Sequence, residues 1–255
     1  MTAMPQTTPE TLAPEQIAFY RENGFVHVRS IISEQEAAEF REAALAASER
    51  LTDLSAGRAV FAQFVNVWRQ DEAMRALTLH PNVAAVAQKL AGVPLRLWHD
   101  QILIKQPHNQ KATEFHQDQP YWPHENAPNP ISAWIALVDV PVEKGCMTFL
   151  PGSHRRTDLP AQNLGDKRSL FTFAPDLIYS PRVTVPLRAG DCTFHHGRCA
   201  HMATPNETDD PRVAHVVIFM DAGATFAGRP HVVSDLLNLQ PGDKLDDPTL
   251  FPQVV

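Results

Sequence analysis

The sequence predicts a mainly β fold with peripheral helices around a double-stranded β-helix, or jelly-roll, core. Three observations predict it. Beyond residue 94 the chain breaks into short apolar or β-branched segments near 95–105, 131–139, 146–150, 183–188, 191–196 and 212–220, separated by turns bearing Pro or Gly. Helical patterns are confined to the part before them. The length of 255 residues and 44% hydrophobic content suit one sizeable core, since folds of this kind commonly reach such lengths undivided. No repeat of solenoid length and no low-complexity block suggests an array.

Taken in order, residues 1–14 are rich in Thr and Pro and read as a mobile tail, leaving 15–255 as a single domain. Residues 14–23 read as a short helix that Gly24 terminates, followed by the alternating segment Phe25-Val26-His27-Val28. Ser33 is placed to N-cap a helix running from Glu34 towards Arg50, with Glu36 at the reciprocal capping-box position. Another helix is expected over residues 83–90. The stretch 157–182, which contains Gly165, Pro175 and Pro181, lacks a clear period. A connection of that length is expected to be either a lid that supplies substrate contacts but no metal ligand, the favoured reading, or a mobile surface insertion.

The formal net charge of -7 and a pI near 5.9 supply no field for polyanions, so nucleic acid is not an expected partner. No basic region followed by an apolar core opens the chain, and no apolar run approaches the roughly 20 residues that cross a bilayer, so no membrane partner is expected. Cys146, Cys192 and Cys199 are odd in number and lack close-paired zinc spacing. A reducing compartment, the cytoplasm, is the expected location. The oligomeric state is unknown at this level.

The most informative segment is Glu114-Phe115-His116-Gln117-Asp118-Gln119-Pro120-Tyr121-Trp122-Pro123. In a strand, residues i and i+2 share a face, so His116 and Asp118 converge while Gln117 turns away. An imidazole and a carboxylate are two of the three protein ligands in the facial triad of non-haem Fe(II) oxygenases. For the third, residues 190–201 offer His195, His196 and His201, with Arg212 downstream. Residues 191–196 and 212–220 read as strands flanking a turn-rich tip at 203–211, a hairpin that would return Arg212 to the neighbourhood of His201. Iron held on one face keeps open positions for a chelating 2-oxo acid and for dioxygen. The far carboxylate of such an acid needs a fixed cation, and arginine offers two parallel charge-assisted hydrogen bonds.

On these residues the chain resembles the phytanoyl-CoA dioxygenase family of Fe(II)/2-oxoglutarate-dependent oxygenases, from the region Gln16-Ile17-Ala18-Phe19-Tyr20 through the metal segment to the strand ending near Met220. The resemblance implies His116, Asp118 and His201 as metal ligands and Arg212 as the 2-oxoglutarate anchor. It also implies Gln101 and Trp134 beside the cosubstrate, and matches Pro151-Gly152-Ser153-His154 to the turn closing a strand. One departure follows the distal histidine. Members often carry a glycine and then a serine that helps hold the cosubstrate, where Met202 and Ala203 stand here; Thr204 is expected to replace that hydroxyl.

The implied activity is hydroxylation of a C–H bond of a small molecule with dioxygen, as 2-oxoglutarate goes to succinate and CO2. The carboxylate of Asp118 argues against halogenation. No basic cluster suggests a CoA phosphate site, so a free metabolite or natural-product intermediate is the expected substrate. Several alternatives stay open. His196 rivals His201 as ligand; Trp134 is either core or cosubstrate contact; Phe115, Tyr121, Trp122 and Phe194 are either substrate walls or core. A cupin-like hydrolase or isomerase using another divalent metal is a second enzyme reading, and a non-catalytic small-molecule-binding protein a third. His27, His80, His99, His108, His124, His215 and His231 have no evident partner and receive no role.

Overall fold

Gly24, at a φ of +83°, ends helix α1 (Pro14–Asn23) by donating its N–H to the Tyr20 carbonyl, and so turns the chain directly into strand β1 (Phe25–Val28). Ser33 then caps α2 (Glu34–Arg50): its hydroxyl accepts from the Glu36 N–H while the Glu36 carboxylate accepts from the Ser33 N–H. Both expectations from local chemistry agree with the fold, as does α4 (Pro81–Ala91). The computed structural model describes residues 12–55 and 60–254. Of the expected tail, residues 1–11 lie outside the described residues, and Pro14 already belongs to α1.

The remaining elements are β2 (Ala62–Val65), α3 (Glu72–Thr78), β3 (Leu95–Lys105), β4 (Thr113–His116), β5 (His124–Glu125), β6 (Ile131–Ala136), β7 (Met147–Phe149), α5 (Ser169–Phe173), β8 (Val183–Val185), β9 (Cys192–His196), β10 (His201–Ala203), β11 (Arg212–Asp221) and β12 (Thr225–Phe226). They form an antiparallel major sheet in the order β1-β9-β6-β11-β3-β2 and an antiparallel minor sheet in the order β4-β10-β7-β8. A short ribbon pairs β12 with β5. Two facing antiparallel sheets with crossing connections are the expected jelly roll.

Alternation along the major strands explains why the sheet is buried on both faces. On β6, Ile131, Ala133 and Ile135 pack with residues of α2 and α4, whereas Trp134 and Ala136 pack towards the minor sheet. On β11, Val213, Val217 and Phe219 join the helix-side core, while Ala214, Val216, Ile218 and Met220 join the core between the sheets. A register irregularity between Ile218 and Phe219 keeps this alternation in step with β3. The inward face carries Arg212, and opposite it in register is Lys105 at the end of β3.

The structure corrects the sequence reading in two places. β9 and β11 are not hairpin partners: both pair with β6, which lies between them. His201 stands on β10 in the opposite sheet, so the 204–211 connection crosses between sheets and brings Arg212 back across the interior. The second correction concerns β4, which stops at His116; Asp118 lies just beyond it, with helical φ and ψ of -75° and -44°, at the start of a single 3-10 turn over Gln119–Tyr121. The His–Asp pair therefore converges through a strand end and a turn rather than along one strand face.

Candidate metal centre and cosubstrate pocket

His116 and His201 are register partners on β4 and β10, and their rings lie 4.4 Å apart between centroids. His116 Nδ1 donates to the Glu114 carbonyl at 2.7 Å and His201 Nδ1 to the Cys199 carbonyl at 2.9 Å. A carbonyl only accepts, so each Nδ1 carries the proton and each Nε2 keeps its lone pair, the arrangement a histidine needs to bind metal. Both Nε2 atoms face one oxygen of Asp118: Oδ1 lies 3.4 Å from His116 Nε2 and 3.8 Å from His201 Nε2. One ligand atom from each of the three residues falls within 4.8 Å of the others, so His116, Asp118 and His201 form a metal-binding triad of two nitrogens and one oxygen.

The second oxygen of Asp118 is held away from that point. His195 Nε2 donates to Oδ2 at 3.3 Å, and Ser132 Oγ reaches it at 3.4 Å. His195 and Ser132 are register partners on β9 and β6, so the major sheet grips the carboxylate from one side and presents Oδ1 to the other. Burial opposes ionisation of Asp118, yet the imidazoles of His201, His116 and His195 outweigh it and hold the carboxyl well below its ordinary range. His201 is pushed down to about 3, first by burial and then by His116, and so stays neutral with its lone pair free.

Among the rival histidines, the His196 ring turns the other way: its Nε2 donates to the Pro128 carbonyl at 2.9 Å and its Nδ1 accepts from the Arg198 N–H. Gln117, between the two ligands, points out of the cavity as expected. Its amide donates to the Arg198 and Arg156 carbonyls, and its backbone N–H donates to Gln162 Oε1 at 2.7 Å. Gln162 belongs to the stretch expected as a lid. That stretch contains α5 and packs Leu159, Leu170, Ala174 and Leu177 against Phe115 of β4. The Glu114 N–H donates to the Leu164 carbonyl, so the stretch braces the metal-bearing strand and contributes Leu164 to the cavity wall.

The triad opens into a cavity of about 520 Å³ between the sheets. Arg212 lines it, 1% exposed, with no hydrogen bond or ion pair from any described residue; its Nε is buried without a partner. The guanidinium carbon sits 5.2 Å from the centroid of Trp134, itself a cavity residue. Burial pulls the Arg212 pKa down to about 10, which leaves it charged at neutral pH. A buried cation without a carboxylate partner among the described residues is costly unless an anion joins it, and the donor set of the triad plus this cation fits iron with a dicarboxylate.

Gln101 also lines the cavity, and its side-chain oxygen accepts from Gln63 at 2.6 Å. Trp134, Val216 and Gln101 are neighbours across β6, β11 and β3, which makes a continuous floor. Thr204 takes no part: its hydroxyl donates to the Val142 carbonyl at 2.6 Å and its own carbonyl accepts from Lys105 Nζ at 2.7 Å. The expected replacement hydroxyl is thus spent on the loop crossing between sheets. Phe115 and Phe194 are core, whereas Tyr121 and Trp122 line the cavity. Trp122 lies against Gly197, where a Cβ would come within 2.6 Å of the indole.

Several cavity residues had no assignment from sequence. Gln63 comes from β2, where the short apolar and aromatic run Phe61-Ala62-Gln63-Phe64-Val65 is a legible strand signal. His195 was weighed only as a ligand. His99 on β3 and His231 in the C-terminal segment are far apart in sequence and meet only through the fold.

A model of the family described as phytanoyl-CoA dioxygenase (PhyH) matches residues 20–214. Phytanoyl-CoA dioxygenase domain-containing protein 1 of Mus musculus is 30% identical over 186 residues, covering 71% of this chain and 62% of its own length, so the chain spans less than two thirds of that relative. A probable phytanoyl-CoA dioxygenase of Caenorhabditis elegans is 27% identical over 229 residues, 80% of this chain and 73% of its own. Among solved structures, the non-heme alpha-ketoglutarate-dependent carbocyclase SnoK from nogalamycin biosynthesis is 41% identical with a TM-score of 0.88, covering 98% of this chain and 100% of its own. The epimerase SnoN, solved with Fe3+, alpha-ketoglutarate and nogalamycin RO, is 38% identical with a TM-score of 0.81, over 94% and 98% of the two chains. With its triad, its buried arginine and a match across most of its length, the chain belongs to the phytanoyl-CoA dioxygenase family.

Proposed function

We propose that the protein is an Fe(II)- and 2-oxoglutarate-dependent oxygenase that oxidises a C–H bond of a small natural-product intermediate, with release of succinate and CO2. The observation that carries this reading is Arg212, a buried guanidinium without a hydrogen-bond or ion-pair partner among the described residues, in the cavity that the His116–Asp118–His201 triad opens into. Neither a jelly-roll hydrolase or isomerase using another metal nor a simple binding protein requires such a cation.

The three ligands would hold iron, and Arg212 the far carboxylate of 2-oxoglutarate, with Trp134 and Gln101 beside it. Bound iron supplies the oxidising chemistry, with dioxygen and 2-oxoglutarate as its co-reactants. The chain does the rest. His195 and Ser132 orient Asp118, Arg212 fixes the register of the cosubstrate, and the walls that include Trp122, Leu164 and Ile218 exclude water and position the substrate carbon. The likeness to SnoK and SnoN supports a natural-product substrate. SnoK is a carbocyclase and SnoN an epimerase, so the outcome after hydrogen removal in this protein, whether hydroxylation, ring closure or inversion, would be set by substrate placement.

We read residues 15–255 as one domain. Among the described residues no helix is long and apolar enough to cross a membrane, and the three free thiols support a reducing compartment, the cytoplasm. Anaerobic Fe(II) plus 2-oxoglutarate should give a visible metal-to-ligand charge-transfer band that disappears in Arg212→Ala at the same cosubstrate concentration. Iron-loaded protein with no band at saturating 2-oxoglutarate would overturn the reading. Stimulated succinate formation across candidate metabolites then identifies the substrate.

A further inference from the structure

Two histidines outside the metal triad meet in the cavity. His99 on β3 and His231 in the C-terminal segment both line it, with ring centroids 5.7 Å apart at an interplanar angle of 42°. Their other nitrogens fix opposite tautomers. His99 Nδ1 lies 3.0 Å from the Asp100 carbonyl, which only accepts, so Nδ1 carries the proton and Nε2 is an acceptor. His231 Nδ1 accepts from the Val233 N–H at 3.2 Å, so in the neutral ring the proton is on Nε2, a donor. Neither Nε2 has a hydrogen-bond partner among the described residues. Burial lowers the pKa of His99 to about 3 and of His231 to about 4, which keeps both rings neutral and these tautomers in force.

The charges of the cavity sharpen the point. Its charged residues, among those described, are Asp118 and Arg212, both already committed to metal and cosubstrate. No cation is left for a substrate phosphate or carboxylate, and no carboxylate for an amine. What remains is apolar or neutral: Leu54, Val65 and Val232 towards the mouth, the Trp122 ring, and the histidine pair. A hydroxyl group is both donor and acceptor, and two rings with centroids 5.7 Å apart that line one cavity are close enough for a single oxygen to reach both.

We propose that His99 and His231 form a hydroxyl-recognition subsite for an uncharged, largely apolar substrate, one alcohol or phenol of which donates to His99 Nε2 and accepts from His231 Nε2–H. The inference rests on the oxygenase reading above and adds to it the substrate class and two residues that determine specificity. The backbone contacts that set the tautomers, through Asp100 and Val233, are part of the device, because exchange of either tautomer would present two like groups to the hydroxyl.

The test uses the protein loaded anaerobically with Fe(II) and 2-oxoglutarate, and three probes of one shape: 2-naphthol, 2-methoxynaphthalene and naphthalene, with binding followed by tryptophan fluorescence. Wild type should bind 2-naphthol about tenfold more tightly than naphthalene, the magnitude two neutral hydrogen bonds supply, with the ether between them because it only accepts. His99→Phe should remove the preference for the phenol over the ether, and His231→Ala the preference for the ether over the hydrocarbon. His231 is only partly buried and lies outside the sheets, so its variant serves even where His99→Phe fails to fold. The charge-transfer band should persist in both variants, which separates failure of this inference from failure of the oxygenase reading. Equal affinity of wild type for the three probes, no saturable binding of 2-naphthol, or a phenol preference that survives both substitutions would overturn the proposal.

Discussion

Arg212→Met should have two effects of opposite sign, and the pair is diagnostic. The guanidinium is buried and has no hydrogen-bond or ion-pair partner among the described residues, with its pKa drawn from 12.5 to about 10, a difference that corresponds to about 3 kcal/mol. The sign is that of a disfavoured cation: the folded state binds the proton less tightly than the unfolded chain, so the cost is present in full below about pH 10 and fades only as the pH rises towards 12.5. Methionine has similar length and no charge. It should recover that cost less about 1 kcal/mol for the lost contact with Trp134, a net gain of about 2 kcal/mol and roughly 4 to 8 °C in Tm. Binding of 2-oxoglutarate should weaken by about 2 to 5 kcal/mol, or roughly 30-fold to several thousand-fold. Thermal unfolding at pH 7.5 reads both, with and without Mn(II) plus 2-oxoglutarate: the variant melts above wild type when free and gains little from the cosubstrate. A ligand-free variant that melts below wild type, or one that keeps wild-type cosubstrate affinity, would refute the view of Arg212 as a cation waiting for an anion.

Other substitutions probe the surrounding parts. Replacing His116, Asp118 or His201 by Ala should sharply weaken Fe(II) binding in equilibrium dialysis, whereas His196→Ala should leave it near wild type, because that ring is committed to the Pro128 carbonyl. His195→Ala frees Asp118 Oδ2 and should lower Fe(II) affinity about 10- to 100-fold; unchanged affinity would mean that the contact does not orient the ligand. Gln162→Ala removes the acceptor for the Gln117 N–H and should also weaken iron binding, which a simple lid residue would not do. Asp100 is raised from 3.8 to about 7, chiefly by burial. Its folded pKa exceeds the unfolded one, so its contribution is full below about pH 4 and is lost as the pH rises through about 7. Asp100→Asn should therefore melt increasingly above wild type between pH 4 and 8, and parallel melting curves across that range would contradict the assignment.

Local chemistry made much of the fold legible. Gly24, Ser33 and Glu36 act within a few residues of themselves, so α1 and α2 could be read with their ends, and short apolar segments between Pro and Gly turns identified most strands of both sheets. β10 is not legible because its three residues, His201–Ala203, carry too little period, and neither β2 nor α3 is among the elements expected from sequence. The chemistry of the site was legible in residue types: an imidazole and a carboxylate two apart, a distal histidine and an arginine. Thr204 shows the limit, since a hydroxyl near the right position in sequence says nothing of the carbonyl it will bond.

What the sequence by itself determined is therefore the set of groups and the local elements that carry them, because caps, turns and alternation are decided by neighbours in the chain. Which of His195, His196 and His201 faces Asp118 Oδ1, which grips Oδ2 and which turns to Pro128 was decided only when β9 and β10 entered opposite sheets. The same holds for Arg212 and for the meeting of His99 with His231. A buried cation, or two complementary tautomers across a cavity, is a property of long-range packing, where contacts between residues far apart in the chain fix burial, and burial fixes charge and hydrogen-bonding role.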